Sequence, residues 1–131
     1  MDIVLNPLAI AAAAASTFLL GGLWYSLLFA KPWQRAAAVT DEQLATGAPR
    51  VFIGSALFAL VMATSLAAFI GGAGLAFGAF AGFAAGLTFV AAAFGVNYLF
   101  ERRSATLWAI NAGYNTVAFT LMGIIIGALQ G

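Results

Sequence analysis

The sequence predicts an all-α fold, a single domain formed by a bundle of four transmembrane helices. The chain has 131 residues, of which 64% are hydrophobic and only 7% are charged. A soluble domain usually carries about 25% charged residues, and apolar residues make up about half of it. Four segments are also long and apolar enough to cross a bilayer, which takes about 20 residues each. With so few charges, most of the surface must contact lipid.

The four predicted spans divide the chain almost completely between them. They cover about residues 7–30, 50–70, 74–100 and 105–129. Asn6 suits the cap of the first helix, and Pro7 suits its first turn. The alanine-rich start of this segment resembles a cleavable signal peptide. We interpret it as a span, because no basic residue precedes it and its small residues lie within the apolar run.

The positive charges predict the orientation of the bundle. The five cations are Lys31, Arg35, Arg50, Arg102 and Arg103. All of them follow the first or the third span, so all five lie on one side of the predicted bundle. By the positive-inside rule, this side is cytoplasmic and both termini are on the other side.

The cytoplasmic loop, residues 31–49, is the longest segment predicted outside the bilayer. Its sequence Thr40-Asp41-Glu42-Gln43 is typical of a helix capping box. We expect the loop to lie along the membrane surface. Trp24, Lys31 and Trp33 fit an interfacial belt at its start, because aromatic and cationic side chains favour the headgroup level.

A stripe of glycines begins the third span. Gly74, Gly78, Gly82 and Gly86 recur every four residues, so they share one face of a helix. A dinucleotide-binding loop would require a preceding strand, which this apolar context does not offer. We interpret the stripe, extended by Ala85, Ala92 and Ala93, as a helix-packing face. The partner helix belongs either to the same chain or to a second copy.

Polar residues within the spans form the candidate site. No Asp, Glu, Lys or Arg lies inside a span, which argues against a proton-coupled carrier of the small multidrug-resistance type. Asn97 and Asn111 are predicted at similar depth and could meet. The candidate residues are Tyr25, Asn97, Asn111, Tyr114 and Asn115. These side chains either bond the helices to one another or line a small cavity open to the cytoplasm.

Three sequence blocks resemble a known family. They are Gly21-Gly22-Leu23-Trp24-Tyr25-Ser26, Asn97-Tyr98-Leu99-Phe100-Glu101 and Ile110-Asn111-Ala112-Gly113-Tyr114. These blocks resemble the small bacterial membrane proteins grouped as domain of unknown function 1761. The resemblance implies a multi-pass protein of the bacterial inner membrane, and it implies no activity. It adds interest to the matching positions Trp24, Tyr25, Lys31, Asn97, Asn111 and Tyr114. Family members usually carry a proline where this chain has Leu27.

The sequence favours a non-enzymatic role. It has neither Cys nor His, so thiol nucleophiles, imidazole bases and the usual zinc ligands are missing, and we predict no metal and no cofactor. The net charge of +1 argues against nucleic acid as a partner. We expect the chain to act through helix association in the lipid bilayer, as a homo-oligomer or as an accessory subunit of a membrane complex. The alternative is a small transporter or channel for a neutral or weakly polar solute.

Overall fold

The computed structural model describes residues 3–131, which form an all-helical bundle. The helices are α1 (Pro7–Leu28), α2 (Ala30–Ala37), α3 (Asp41–Ala45), α4 (Ala48–Ile70), α5 (Leu75–Phe100) and α6 (Ala105–Gln130). Helices α1, α4, α5 and α6 are each long and apolar enough to cross a membrane. The predicted fold class is confirmed, and the ends of the four long helices lie within two residues of the expected bounds.

Side-chain caps begin three of the helices. Asn6 Oδ1 accepts hydrogen bonds from the backbone N–H groups of Leu8 (3.0 Å) and Ala9 (3.3 Å), ahead of Pro7. The Ser104 hydroxyl accepts from the Leu107 N–H at 3.1 Å and begins α6. In the loop, Thr40 and Gln43 form both bonds of the capping box, which begins α3. These caps satisfy N–H groups that have no partner within their own helix.

Helix α6 is the centre of the bundle and contacts α1, α4 and α5. Its contact with α5 is the closest, because both helices present glycine. A Cβ added at Gly78 would overlap the Gly123 carbonyl oxygen, and one at Gly82 would overlap the Phe119 carbonyl oxygen. A Cβ at Gly127 would lie 2.6 Å from the Gly74 carbonyl oxygen. The glycine stripe therefore packs against a helix of the same chain.

Helix α5 widens into a π-helix over Ala85–Ala91. A π-turn takes in an extra residue, so the side chains that follow are rotated by about 100° relative to a continuous α-helix. The stripe beyond Gly86 therefore continues through Ala91, which is buried, and Gly95, which is half-buried. The prediction that Ala92 and Ala93 extend the stripe is wrong, because both residues are exposed. The prediction assumed a regular α-helix throughout, without the extra residue of the π-turn.

The bundle is closed at the end opposite the cations, here called the terminal end. Gln130 Nε2 donates to the carbonyl oxygens of Ala67 (3.1 Å) and Gly71 (3.0 Å). Gln130 Oε1 accepts from the Asn6 N–H at 3.0 Å. One amide side chain thus joins α6 to the end of α4 and the start of α1.

The bundle is open at the other end, here called the basic end, which carries all five cations. The buried residues of α4 all belong to its second half and are Ala59, Ala63, Leu66, Ala67 and Ile70. Residues 48–58, here called the open segment of α4, contain no buried residue. The same is true of 23–28 in α1 and 92–100 in α5. Helix α4 therefore packs closely at the terminal end only.

Candidate functional site

Asn111 of α6 is the centre of a polar cluster near the basic end. Its Oδ1 accepts a hydrogen bond from the Tyr25 hydroxyl of α1 at 2.7 Å. Its Nδ2 donates to the Tyr98 hydroxyl of α5 at 2.8 Å. One amide therefore uses its acceptor toward one helix and its donor toward another, and it ties three helices together.

A second pair of bonds joins α1 to α6 beside this cluster. The Tyr114 hydroxyl donates to the Thr17 carbonyl oxygen at 2.8 Å, and Trp24 Nε1 donates to the Ile110 carbonyl oxygen at 3.0 Å. The ring of Tyr25 lies beside that of Tyr114, with the two centroids 5.1 Å apart. Aromatic rings at this separation attract each other beyond their simple burial. The polar cluster is thus enclosed by aromatic rings.

Small residues provide the room for these rings. A Cβ at Gly113 would lie 3.0 Å from Cζ2 of Trp24, and one at Gly21 would lie 3.5 Å from the Tyr114 hydroxyl oxygen. The first distance is too short for an unstrained contact. The tryptophan can therefore cross α6 and reach Ile110 because position 113 has no side chain.

Asn97 does not take part in the cluster. It is exposed on α5, and its expected meeting with Asn111 is wrong; Tyr98 is in its place. The cause is again the π-turn at Ala85–Ala91, because one extra residue brings position 98 to the face that a regular helix would give to position 97. The sequence gives no direct signal of such a turn.

Asn115 lies next to the cluster but makes a local bond. Its Nδ2 donates to the backbone oxygen of Asn111, four residues earlier in the same helix, at 2.9 Å. The side chain is half-buried and lies on the same stripe of α6 as Asn111 and Met122. Its bond therefore does not join two helices.

Sequence reasoning missed Trp108 and gave no role to Tyr98. Trp108 Nε1 donates to the Ala91 carbonyl oxygen of α5 at 2.9 Å. Ala91 is the last residue of the π-helix. The indole therefore fastens the first turn of α6 to α5 at the end of its irregular turn.

The predicted interfacial residues separate into two kinds. Lys31 is exposed at the start of α2. Trp24 and Trp33 are half-buried, and the ring of Trp33 lies 5.5 Å from that of Tyr25. Both tryptophans therefore also pack against the cluster, and α2 covers it from the basic end.

The cluster is neutral and hydrogen-bonded, so its chemistry is that of helix fastening. A cavity of about 280 Å³ lies to one side, between the end of α5 and the start of α6. Its lining residues are Gly95, Tyr98, Leu99, Arg103, Ser104, Ala105 and Trp108. Within residues 3–131, no three Asp or Glu side chains lie together in a way that could hold a metal ion.

The three sequence blocks that carry the family resemblance meet at this cluster. Tyr25 belongs to the first block, Tyr98 to the second and Asn111 to the third, and two hydrogen bonds connect them. No curated protein and no solved structure shows significant similarity to the chain. One family model matches residues 8–127, nearly the whole chain. The chain therefore belongs to the family described as protein of unknown function (DUF1761).

Proposed function

We propose that this chain is a non-enzymatic membrane protein that acts through helix association, as a homo-oligomer in the bacterial inner membrane. The observation that carries the proposal is the open segment of α4 (48–58). Its inward-facing residues Phe52 and Ser55 are exposed, although the same face is buried at the terminal end. A second copy of the chain would supply the missing helices.

The position of Phe52 and Ser55 supports this assignment. At about 100° per residue, both continue the face of α4 that carries Ala59 and Leu66. Phe52 is nevertheless 60% exposed, and Ser55 is also exposed. A hydroxyl inside a membrane-spanning helix gains from a partner, since lipid offers none, and such groups commonly join helices. In a symmetric pair, the same segment of both copies would meet.

The glycine stripe does not serve this contact. Gly78 and Gly82 are already occupied by α6 of the same chain. An interface between copies therefore requires a different surface, and the open segment of α4 offers one, since Phe52 and Ser55 are exposed there.

Cysteine cross-linking tests the proposed interface, because the chain has no Cys of its own. We expect Ser55→Cys to form disulfide-linked dimers in native membranes. Leu57→Cys is the matched control, since it lies at similar depth on the opposite face and is 61% exposed. Equal cross-linking of both variants would indicate random collision, and a monomeric mass in lipid nanodiscs would reject the homo-oligomer. A mass that includes a different protein would identify an accessory subunit instead.

A second candidate function is passage of a small neutral solute. The observation that favours it is Asn115, a half-buried amide on the same stripe of α6 as Asn111. Liposomes that contain the protein would then swell faster in glycerol than empty liposomes. We expect Asn111→Leu to remove that swelling while the helical content is kept. Swelling that is no faster than in empty liposomes would reject this function.

A further inference from the structure

A groove lies between the end of α5 and the start of α6, at the basic end. Its volume is about 280 Å³. Gly95 forms part of its lining, and a Cβ there would lie 3.2 Å from Trp108 Nε1. The Trp108 ring is held by its hydrogen bond to the Ala91 carbonyl oxygen at 2.9 Å. Side chains that are already fixed therefore shape the groove.

The groove has a cationic rim. Arg103 lines it, and the side chain lies over Tyr98, with the guanidinium carbon 6.0 Å from the ring centroid. Arg103 Nε donates to Glu101 Oε1 at 3.0 Å. Within the described chain its two terminal nitrogens have no hydrogen-bond partner, so they can donate to an added acceptor.

This turn keeps a positive charge after its ion pair is counted. Glu101, Arg102 and Arg103 together carry a net charge of +1. The pair itself is solvent-accessible, with side-chain exposures of 43% for Arg103 and 53% for Glu101. An exposed pair is worth only about 0–1 kcal/mol, so Glu101 competes weakly with another anion.

The groove also lies at the depth where headgroups meet acyl chains. Tyr98 and Trp108 are each within one helical turn of the ends of α5 and α6, at Phe100 and Ala105. At 1.5 Å per residue, this places them about 3–5 Å inside the helix ends. Tyr and Trp favour this layer of the bilayer. The rim is therefore polar and the walls are apolar.

We propose that the groove binds an anionic phospholipid. The phosphate contacts the terminal nitrogens of Arg103, and the first part of an acyl chain lies along Gly95, Leu99 and Trp108. A free phosphate would leave the apolar walls uncovered, whereas a phospholipid fills both parts. The unpaired positive charge of the turn favours a headgroup with net charge −1 over a zwitterionic one.

Lipid competition observed by native mass spectrometry tests the proposal. Delipidated protein in detergent is mixed with equal amounts of phosphatidylglycerol and phosphatidylcholine that carry the same acyl chains. We expect about fivefold preference for phosphatidylglycerol, the factor that one interfacial cation contributes. Arg103→Gln should remove the preference. Arg102→Gln is the matched control, since it makes the same charge change on the same turn outside the groove, and it should lower the preference less than Arg103→Gln does.

Other outcomes would overturn the proposal. Equal loss in the two arginine variants would show that diffuse charge, and no defined site, attracts the lipid. Glycerol 3-phosphate binding as tightly as the phospholipid would indicate a site for a soluble phosphate. Gly95→Leu fills the groove and should release bound phosphatidylglycerol. Normal retention of the lipid in that variant would show that its acyl chain does not lie in the groove. If Gly95→Leu does not fold, the comparison of Arg103→Gln with Arg102→Gln still tests the proposal, because both side chains are exposed.

Discussion

At the residue scale, Asn111 shows how a single neutral side chain can organise a membrane bundle. Its carbonyl oxygen and its amide nitrogen bond two different tyrosines, one on each neighbouring helix. In lipid no water replaces a lost partner, and apolar side chains give little preference for one helix arrangement over another. Bonds of this kind therefore select the arrangement more than they strengthen it.

We expect Asn111→Leu to lower the free energy of unfolding by about 1 kcal/mol. It removes two hydrogen bonds, and such bonds between membrane helices average about 0.6 kcal/mol each. Asn97→Leu is the control, because Asn97 is exposed and forms no side-chain hydrogen bond in the described structure. Unfolding in mixed detergent micelles measures both variants. A larger loss in Asn97→Leu would show that Tyr98 is not the inward residue.

Tyr98 and Asn97 also mark the limit of prediction from the sequence. Residue type and depth sufficed to select Tyr25, Asn111 and Tyr114, which the structure brings together. The choice between positions 97 and 98 depends on helical phase, and the π-turn at Ala85–Ala91 changes that phase by one residue. Residues 85–91 are equally compatible with a regular helix, so their types do not predict the π-turn.

At the element scale, α5 and α6 approach so closely that backbone meets backbone. Gly78 and Gly82 face the carbonyl groups of Gly123 and Phe119. The spacing of the stripe was readable in the sequence, because a four-residue repeat of glycine defines one helix face. The partner was not readable, because Gly123 and Gly127 give α6 only a short pattern of the same kind.

We expect one added methyl group to have opposite effects at two glycines. Gly82→Ala should destabilise the fold by about 1–3 kcal/mol, because its Cβ overlaps the Phe119 carbonyl oxygen and the helices must separate. Gly54→Ala should stabilise it by up to about 1 kcal/mol, because nothing lies within 4 Å of the added atom and alanine favours helix. Unfolding of both variants in the same micelles measures the difference. A neutral Gly82→Ala would place α5 and α6 further apart than the structure does.

At the scale of the whole molecule, the two ends of the bundle differ in packing and in charge. The terminal end is closed by Gln130, whose amide bonds α6 to the ends of α1 and α4. The basic end carries the cations, the polar cluster and the open segment of α4. Surfaces available to a second copy or to a lipid headgroup therefore concentrate on one side of the membrane.

The charge distribution predicts which side that is. All five cations lie at the basic end, Arg50 in the first turn of α4 and the other four in the two connections there, and the turn between α4 and α5 has none. Because cationic loops are retained in the cytoplasm, we expect the basic end to be cytoplasmic.

Single cysteines test this orientation directly, because the chain has no Cys of its own. Leu44→Cys in α3 marks the basic end, and Ala73→Cys marks the opposite turn. Both positions are exposed, and neither substitution changes a charge. In intact bacterial cells, a membrane-impermeant maleimide should label Ala73→Cys and leave Leu44→Cys unmodified until the cells are permeabilised. The reverse labelling pattern would place the cations outside the cell and would contradict the orientation predicted from loop charge.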